Sequence, residues 1–390
     1  MDREIFLQAA KEFGTPLYLY DLRGIRKRIE MVERVLKSLE HKVFFAFKSN
    51  FNPYLLRFVR ELGLGADVVS MNEYKMAKYV GFDTSEIVVN GNGKTVDELK
   101  TYAEDEEGCI NVDSSGEIWR FPNIPVRISI RINPDVDAKT HPHISTGLKK
   151  NKFGMNVRIA SKVIHSLPSN LKLVGLHCHI GSQITDVSPF VDAFKSLKSF
   201  INSEALNLEF INVGGGWGID YTHNDKGLNV QDYQEKVIPI LKSFGVPIHF
   251  ELGRFIIGPA GYLITRVMEL KPTDLKTFVI VDASMSDLIR PSLYNAYHHI
   301  EFFSDGSEII ADIVGRVCET ADTLGKNRKI CKPEIGDLGI IYDVGAYGYT
   351  MSSNYNLSLR PVEAVFDGKD LKLIKRRETF EDIIKLYESC

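Results

Sequence analysis

No apolar run in this 390-residue chain exceeds strand length, so nothing in it has the roughly 20-residue reach of a membrane-spanning helix. An excess of one charge is missing too. The 48 Lys and Arg against 51 Asp and Glu leave a net charge of −3, without the basic field that attracts nucleic acid or an anionic membrane. Cysteine is sparse: Cys109, Cys178, Cys318, Cys331 and Cys390 are scattered without C-x-x-C spacing. That argues against a zinc site or a disulfide framework and points to a reducing cytoplasm. The opening MDREIFLQAAKEF lacks the zones of a secretory signal, and no short repeat or low-complexity tract follows. The balance of 44% hydrophobic and 25% charged residues is that of an ordinary soluble protein. The length suits one barrel of roughly 250 residues plus a second domain.

What is present is an alternation. β-branched and aromatic runs at Val43–Lys48, Gly65–Ser70, Ile87–Gly91, Cys109–Asp113, Val126–Asn133, Leu173–His179, Leu208–Val213 and Pro247–Glu251 are each followed by a helical stretch. Eight such units predict a parallel (β/α)8 barrel over residues 25–265; an open doubly wound sheet has the same local signature. From residue 266 to 390 the chain is β-rich, with runs at Thr277–Asp282, Ile309–Val314, Gly339–Asp343, Val362–Phe366 and Leu371–Ile374 and a short last helix at Phe380–Tyr387. This predicts a mainly antiparallel β domain, which the strand-like Thr15-Pro-Leu-Tyr-Leu-Tyr run within residues 1–24 is free to join.

Reactive groups of a β/α barrel sit at the C-terminal ends of its strands. Those ends read Lys48, Asp67, Asn90, Asp113, Arg131, His179, Gly214-Gly215-Gly216 and Glu251-Leu-Gly253-Arg254. Each has an ordinary reading when taken alone: Lys48 as a lysine snorkelling to solvent, the glycines as a tight turn. Taken together they suggest chemistry. Lys48, after the apolar Val43-Phe-Phe-Ala-Phe, is expected in surroundings that lower its pKa and free the amine for a Schiff base. Gly214–Gly216 and Gly253-Arg254 follow the last two strands, where barrels commonly bind phosphate. A lysine and a phosphate cradle in one barrel mouth suggest pyridoxal phosphate, with Glu251 against the pyridine nitrogen, His179 on the ring face and Ser182 near the phosphate. A zinc pair at His177 and His179 stays open on spacing alone.

These residues lie in stretches that resemble the diaminopimelate decarboxylases, within the fold-type III group of ornithine and arginine decarboxylases and alanine racemase. The stretches are Ala46–Asn50, Gly63–Ser70, Arg131–Gly147, Gly175–Gln183, Asp287–Tyr294, Cys318-Glu319 and Gly345–Tyr355. The resemblance implies pyridoxal 5'-phosphate on Lys48, stacked by His179 and met by Glu251. The phosphate would be held by Ser182, Gly214–Gly216, Arg254 and Tyr347. It further implies meso-diaminopimelate as substrate, read by Arg254, Arg290, Tyr294, Glu319 and Tyr347, with Cys318 as proton donor. Cys318 and Glu319 would come from the partner of a homodimer.

Three departures stand out: Leu252 where the family has proline, taken as a change of loop stiffness only; Arg316 where it also has proline; and Thr320 where it has serine. Arg316 puts a cation near Cys318, which would favour the thiolate. Decarboxylation of ornithine or arginine, racemisation, and a non-catalytic pyridoxal-phosphate-binding role are the competing functions. Glu251 favours decarboxylation over racemisation, and Arg290 favours a substrate with a distal carboxylate.

Overall fold

A computed structural model describes residues 1–105, 108–136 and 152–387 of the chain. Residues 137–147 of the Arg131–Gly147 stretch, and Cys390, lie outside them. The chain forms two compact units: Met1–Arg28, Asp220–Lys226 and Ile256–Cys390 make one, Ile29–Ile219 and Gly227–Phe255 the other. The first strand, β1 (Leu17–Asp21), belongs to the first of these.

The other unit is a closed barrel of parallel strands: β2 (His41–Ala46), β3 (Gly65–Val68), β4 (Ile87–Val89), β5 (Cys109–Val112), β6 (Val126–Arg131), β7 (Leu171–His177), β8 (Phe210–Asn212) and β9 (Ile248–Leu252). β9 pairs back on β2, His41 opposite Ile248 through Phe45 opposite Leu252, which closes the circle and excludes an open doubly wound sheet. Several intervening helices start where the sequence provides caps. Asn52 accepts the Tyr54 N–H ahead of the helix Pro53–Glu61, and Thr95 with Glu98 forms a capping box for Val96–Ala103. Leu252 corrects one expectation: it is the buried last residue of β9 rather than part of a loop.

Alternate residues of a strand share a face, so the barrel fills in layers. Phe44 lies beside Gly65 in register, and Phe210 beside Gly175. A Cβ on either glycine would fall 2.5 Å from the neighbouring ring. His249 stacks on Phe210 with centroids 4.2 Å apart and tilts against Phe44 at 5.2 Å. These rings form an aromatic floor. Two residues further along the same strands stand Asp67, His177, Asn212 and Glu251, all buried.

The first unit is a mixed sheet. Its remaining strands are β10 (Gly261–Pro272), β11 (Thr277–Val281), β12 (Ile300–Phe302), β13 (Glu308–Val314), β14 (Thr323–Cys331), β15 (Leu338–Ile341), β16 (Val362–Phe366) and β17 (Leu371–Lys375). Most ladders are antiparallel, as expected, while β1–β16 and β11–β13 run parallel. β1 joins this sheet between β10 and β16, in its interior and not at an edge. The helix Arg3–Phe13 packs Phe6, Ala9 and Ala10 onto Leu17, Leu19, Tyr262 and Ile264. The last helix stops at Ile384, short of Tyr387.

Gly175→Ala would overpack the floor against Phe210 and lower stability by about 1–3 kcal/mol. The shift in urea midpoint of the purified protein measures it; an unchanged midpoint would show that the floor yields.

Candidate active site

The strand ends carry more than the mouth-lining residues. A layer deeper, seven of the eight strands, β3 to β9, contribute a polar side chain from within the strand or from the residue just past it to one hydrogen-bonded ring. Ser129 donates its hydroxyl to Asn111 Oδ1, and Asn111 Nδ2 donates to Asn90 Oδ1 at 2.6 Å. Asn90 Nδ2 donates to Asp67 Oδ1 at 2.6 Å and to Glu251 Oε1 at 2.7 Å. Asn212 Nδ2 reaches the same Glu251 oxygen at 2.8 Å, and His177 Nε2 donates to Glu251 Oε2 at 3.2 Å. Lys48, in the turn just beyond β2, donates to Asp67 Oδ2 at 3.1 Å. The order of donors fixes both amide orientations, because Ser129 supplies the only hydrogen at one end and carboxylates accept at the other.

The half-buried Lys48 amine is met by the Asp67 carboxylate. Burial raises Asp67 above the ordinary carboxylate range, opposed by the Lys48 charge. Burial opposes ionisation of Glu251 as well, but the His177 ring and its hydrogen bond, with Lys48 and Asn90, hold that carboxyl well below its usual range.

Above this ring lies the mouth. His179 Nδ1 accepts the Gly215 N–H at 3.1 Å, which puts the ring proton on Nε2. Burial, with the charges of Arg131 and Lys48, holds its pKa far below normal, so the imidazole is neutral. Arg131 faces Asp113 at 3.4 Å and lies over the Phe153 ring at 4.8 Å. Arg254 donates to Ser182 Oγ through Nη2 at 3.1 Å. The three glycines are required by space. A Cβ would lie 2.6 Å from His179 Nδ1 at Gly214, 1.9 Å from the Glu251 carbonyl at Gly215 and 2.5 Å from the Gly181 carbonyl at Gly216. A Cβ on Gly253 would meet Ser49 Oγ at 2.6 Å. Asn212 Oδ1 also accepts the Gly214 N–H at 2.9 Å, tying the glycine turn to Glu251.

In the other unit, Arg290 and Tyr294 sit at the two ends of the helix Arg290–Tyr294, Arg290 buried and Tyr294 half-buried. Cys318 and Glu319 are exposed; the Cys318 N–H donates to Asn356 Oδ1 at 2.9 Å and Tyr355 Oη to Glu319 Oε2 at 2.8 Å. Arg316 is exposed, with buried Val317 between it and Cys318. Tyr347 is half-buried at a positive φ of 59°, which a non-glycine residue adopts only under constraint.

The barrel matches the family described as "Pyridoxal-dependent decarboxylase, pyridoxal binding domain" over residues 22–258. A diaminopimelate decarboxylase of Aquifex aeolicus is 41% identical, the match covering 98% of this chain and 96% of the relative. The chain belongs to the diaminopimelate decarboxylase family. The crystal structure of that enzyme from Helicobacter pylori, complexed with L-lysine, superposes with a TM-score of 0.93 at 36% identity, covering 98% of this chain and 99% of the other. A lysine/ornithine decarboxylase from Vibrio vulnificus, complexed with cadaverine, has a TM-score of 0.84 at 20% identity, covering 93% of this chain and 98% of the other, and shares the fold.

The family's cofactor is pyridoxal 5'-phosphate, and the donor set fits it: a primary amine for the aldehyde, an ionised buried carboxylate for the pyridine nitrogen, and a guanidinium, a hydroxyl and a glycine turn for the phosphate. Of the two histidines whose spacing left a zinc pair open, His177 Nε2 meets Glu251 and His179 Nδ1 meets the Gly215 N–H, and among the described residues no cluster of three His, Cys, Asp or Glu side chains is placed to hold a metal ion. Sequence reasoning missed Asn111, Ser129 and Asn212 as parts of the ring. The signal was parity: each lies two residues before a residue that was noticed, Asp113, Arg131 and Gly214.

Glu251→Leu strands three buried donors and should destabilise the cofactor-free protein by more than about 3 kcal/mol. Glu251→Gln should lose far less, because its oxygen still takes both asparagines and His177 can present an unprotonated Nε2. Equal losses in urea unfolding would contradict the ring.

Proposed function

We propose that the chain releases carbon dioxide from meso-2,6-diaminopimelate to give L-lysine, a reaction of lysine biosynthesis. The observation that best supports this is the ionised, buried Glu251 in the same ring as Lys48. Bound pyridoxal 5'-phosphate supplies the sink for the electron pair freed at Cα. Lys48 is the amine that holds the cofactor's aldehyde carbon, and Asp67 orients it. Glu251 keeps the pyridine nitrogen protonated, which suits decarboxylation over racemisation. His179, neutral, would lie against the cofactor's ring face. Ser182, Gly214, Gly215, Gly216 and Arg254, with Tyr347, hold the phosphate, while Arg131 and Gly253 shape its surroundings.

The second amino-acid centre of the substrate is read by Arg290 and Tyr294 with Arg254, Glu319 and Tyr347. Arg290 offers a planar fork for a carboxylate, which ornithine-type substrates do not need. Cys318 returns a proton to Cα. We assign the enzyme to the cytoplasm as a homodimer in which Cys318 and Glu319 serve the partner's site; both are exposed in the single chain, and among the described residues no helix is long and apolar enough to cross a membrane.

One experiment addresses substrate and assembly together. Lysine formation from meso-diaminopimelate should exceed product formation from ornithine or arginine, and Lys48→Ala and Cys318→Ala should each be inactive. Mixed under subunit exchange they should recover roughly a quarter of wild-type activity, since about half the dimers pair the two variants and keep one intact site. Preference for ornithine would refute the substrate; no recovery despite proven exchange would refute the shared site.

A further inference from the structure

The β unit gives Arg290 a support that no family motif above includes. Arg290 opens a one-turn helix, and Asn295, at φ 52°, reverses the chain with its N–H on the Arg290 carbonyl. Three residues later His298 is fully buried. Its Nδ1 lies 2.8 Å from the Tyr342 carbonyl, which can only accept, so Nδ1 carries the proton. Its Nε2 lies 2.8 Å from Arg290 Nη1, which can only donate, so Nε2 is the bare acceptor. The two contacts fix one neutral tautomer. Tyr221 completes the clamp. Its ring lies 4.8 Å from the guanidinium carbon and meets the His298 ring edge-on, centroids 5.0 Å apart at 78°.

We infer that His298 is a positioning residue for substrate recognition, acting through Arg290; this rests on the proposed role of Arg290 in reading the distal carboxylate. A neutral acceptor has a property that an acidic residue would lack. Asp or Glu at this place would orient the guanidinium equally well but would pair with its charge and compete with the substrate's carboxylate. Imidazole takes one N–H and adds no counter-charge of its own. With the ring of Tyr221 against the guanidinium plane, the fork is held in one orientation before substrate arrives, which saves the cost of ordering a long side chain on binding.

L-Lysine and cadaverine present the same amine and differ by one carboxylate, so their dissociation constants from the holoenzyme isolate its recognition. His298→Phe keeps a ring and removes the acceptor. It should weaken L-lysine roughly ten- to hundred-fold, the usual effect of one lost hydrogen bond to a charged group, with cadaverine binding and the bound cofactor's absorption spectrum unchanged. His298→Gln, which retains an acceptor, should recover much of the loss. In an Arg290→Ala background His298→Phe should add little, because the two act as one unit. If the phenylalanine variant does not fold, His298→Asn, too short to reach the guanidinium, takes its place. Wild-type lysine affinity in the His298 variants, beside weak binding by Arg290→Ala, would overturn the inference and leave the role of Arg290 standing. Equal weakening of lysine and cadaverine would overturn it in favour of a purely structural histidine. Unchanged lysine binding in Arg290→Ala would instead remove the premise.

Discussion

The barrel is organised around one buried charge. Moving a carboxylate out of water costs several kcal/mol unless its oxygens are met by donors. Asn90, Asn212 and His177 meet those of Glu251 from three different strands. Hydrogen bonds to a charged group contribute about 1.5–3 kcal/mol each, so the three together are of the same order as that cost. The constraint then propagates. Asn90 is held by Asn111 and Ser129, Asn212 anchors the glycine turn, and Asp67 takes the other Asn90 hydrogen and Lys48. Amine, carboxylate and glycine turn are thus parts of one bonded network, and one strand cannot slip in register without breaking it.

The network also accounts for the barrel's glycines. Glu251 and its partners stand on a floor of Phe44, Phe210 and His249, and the floor fits only because Gly65 and Gly175 have no side chain. Gly215 lies so close to the Glu251 carbonyl that no Cβ could pass, which brings bare backbone to the place proposed for the phosphate. The mouth is shaped by absent side chains as much as by present ones.

Much of this was legible in the sequence, for a physical reason. Strand ends interrupt apolar runs, so Lys48, Asp67, Glu251 and the glycine triplet announce themselves by contrast. Asn111, Ser129 and Asn212 are embedded inside their runs and look like imperfect strand residues until the layer beneath the mouth is counted by parity. Lys94 had no signal at all. In an Asn-Gly-Lys-Thr segment it reads as a surface turn, yet it is buried, donating to the carbonyls of Gly91 and Asn111 and to Glu117. In the β unit the interior position of β1 depends on pairing with strands hundreds of residues away, and β10 and β14 lack the compact apolar runs that betray shorter strands.

Two ways of handling charge coexist in the chain. Glu251 is fixed by donors that favour its ionised form, and Arg290 is held by a neutral acceptor that adds no counter-charge. The central claim is that Glu251 serves chemistry as well as architecture, and turnover of the Glu251→Gln holoenzyme tests it most directly. With stoichiometric cofactor bound, kcat for meso-diaminopimelate should fall at least about a hundred-fold, the scale of losing one preorganised charge at a reacting centre. Near-wild-type kcat with full cofactor occupancy would contradict it.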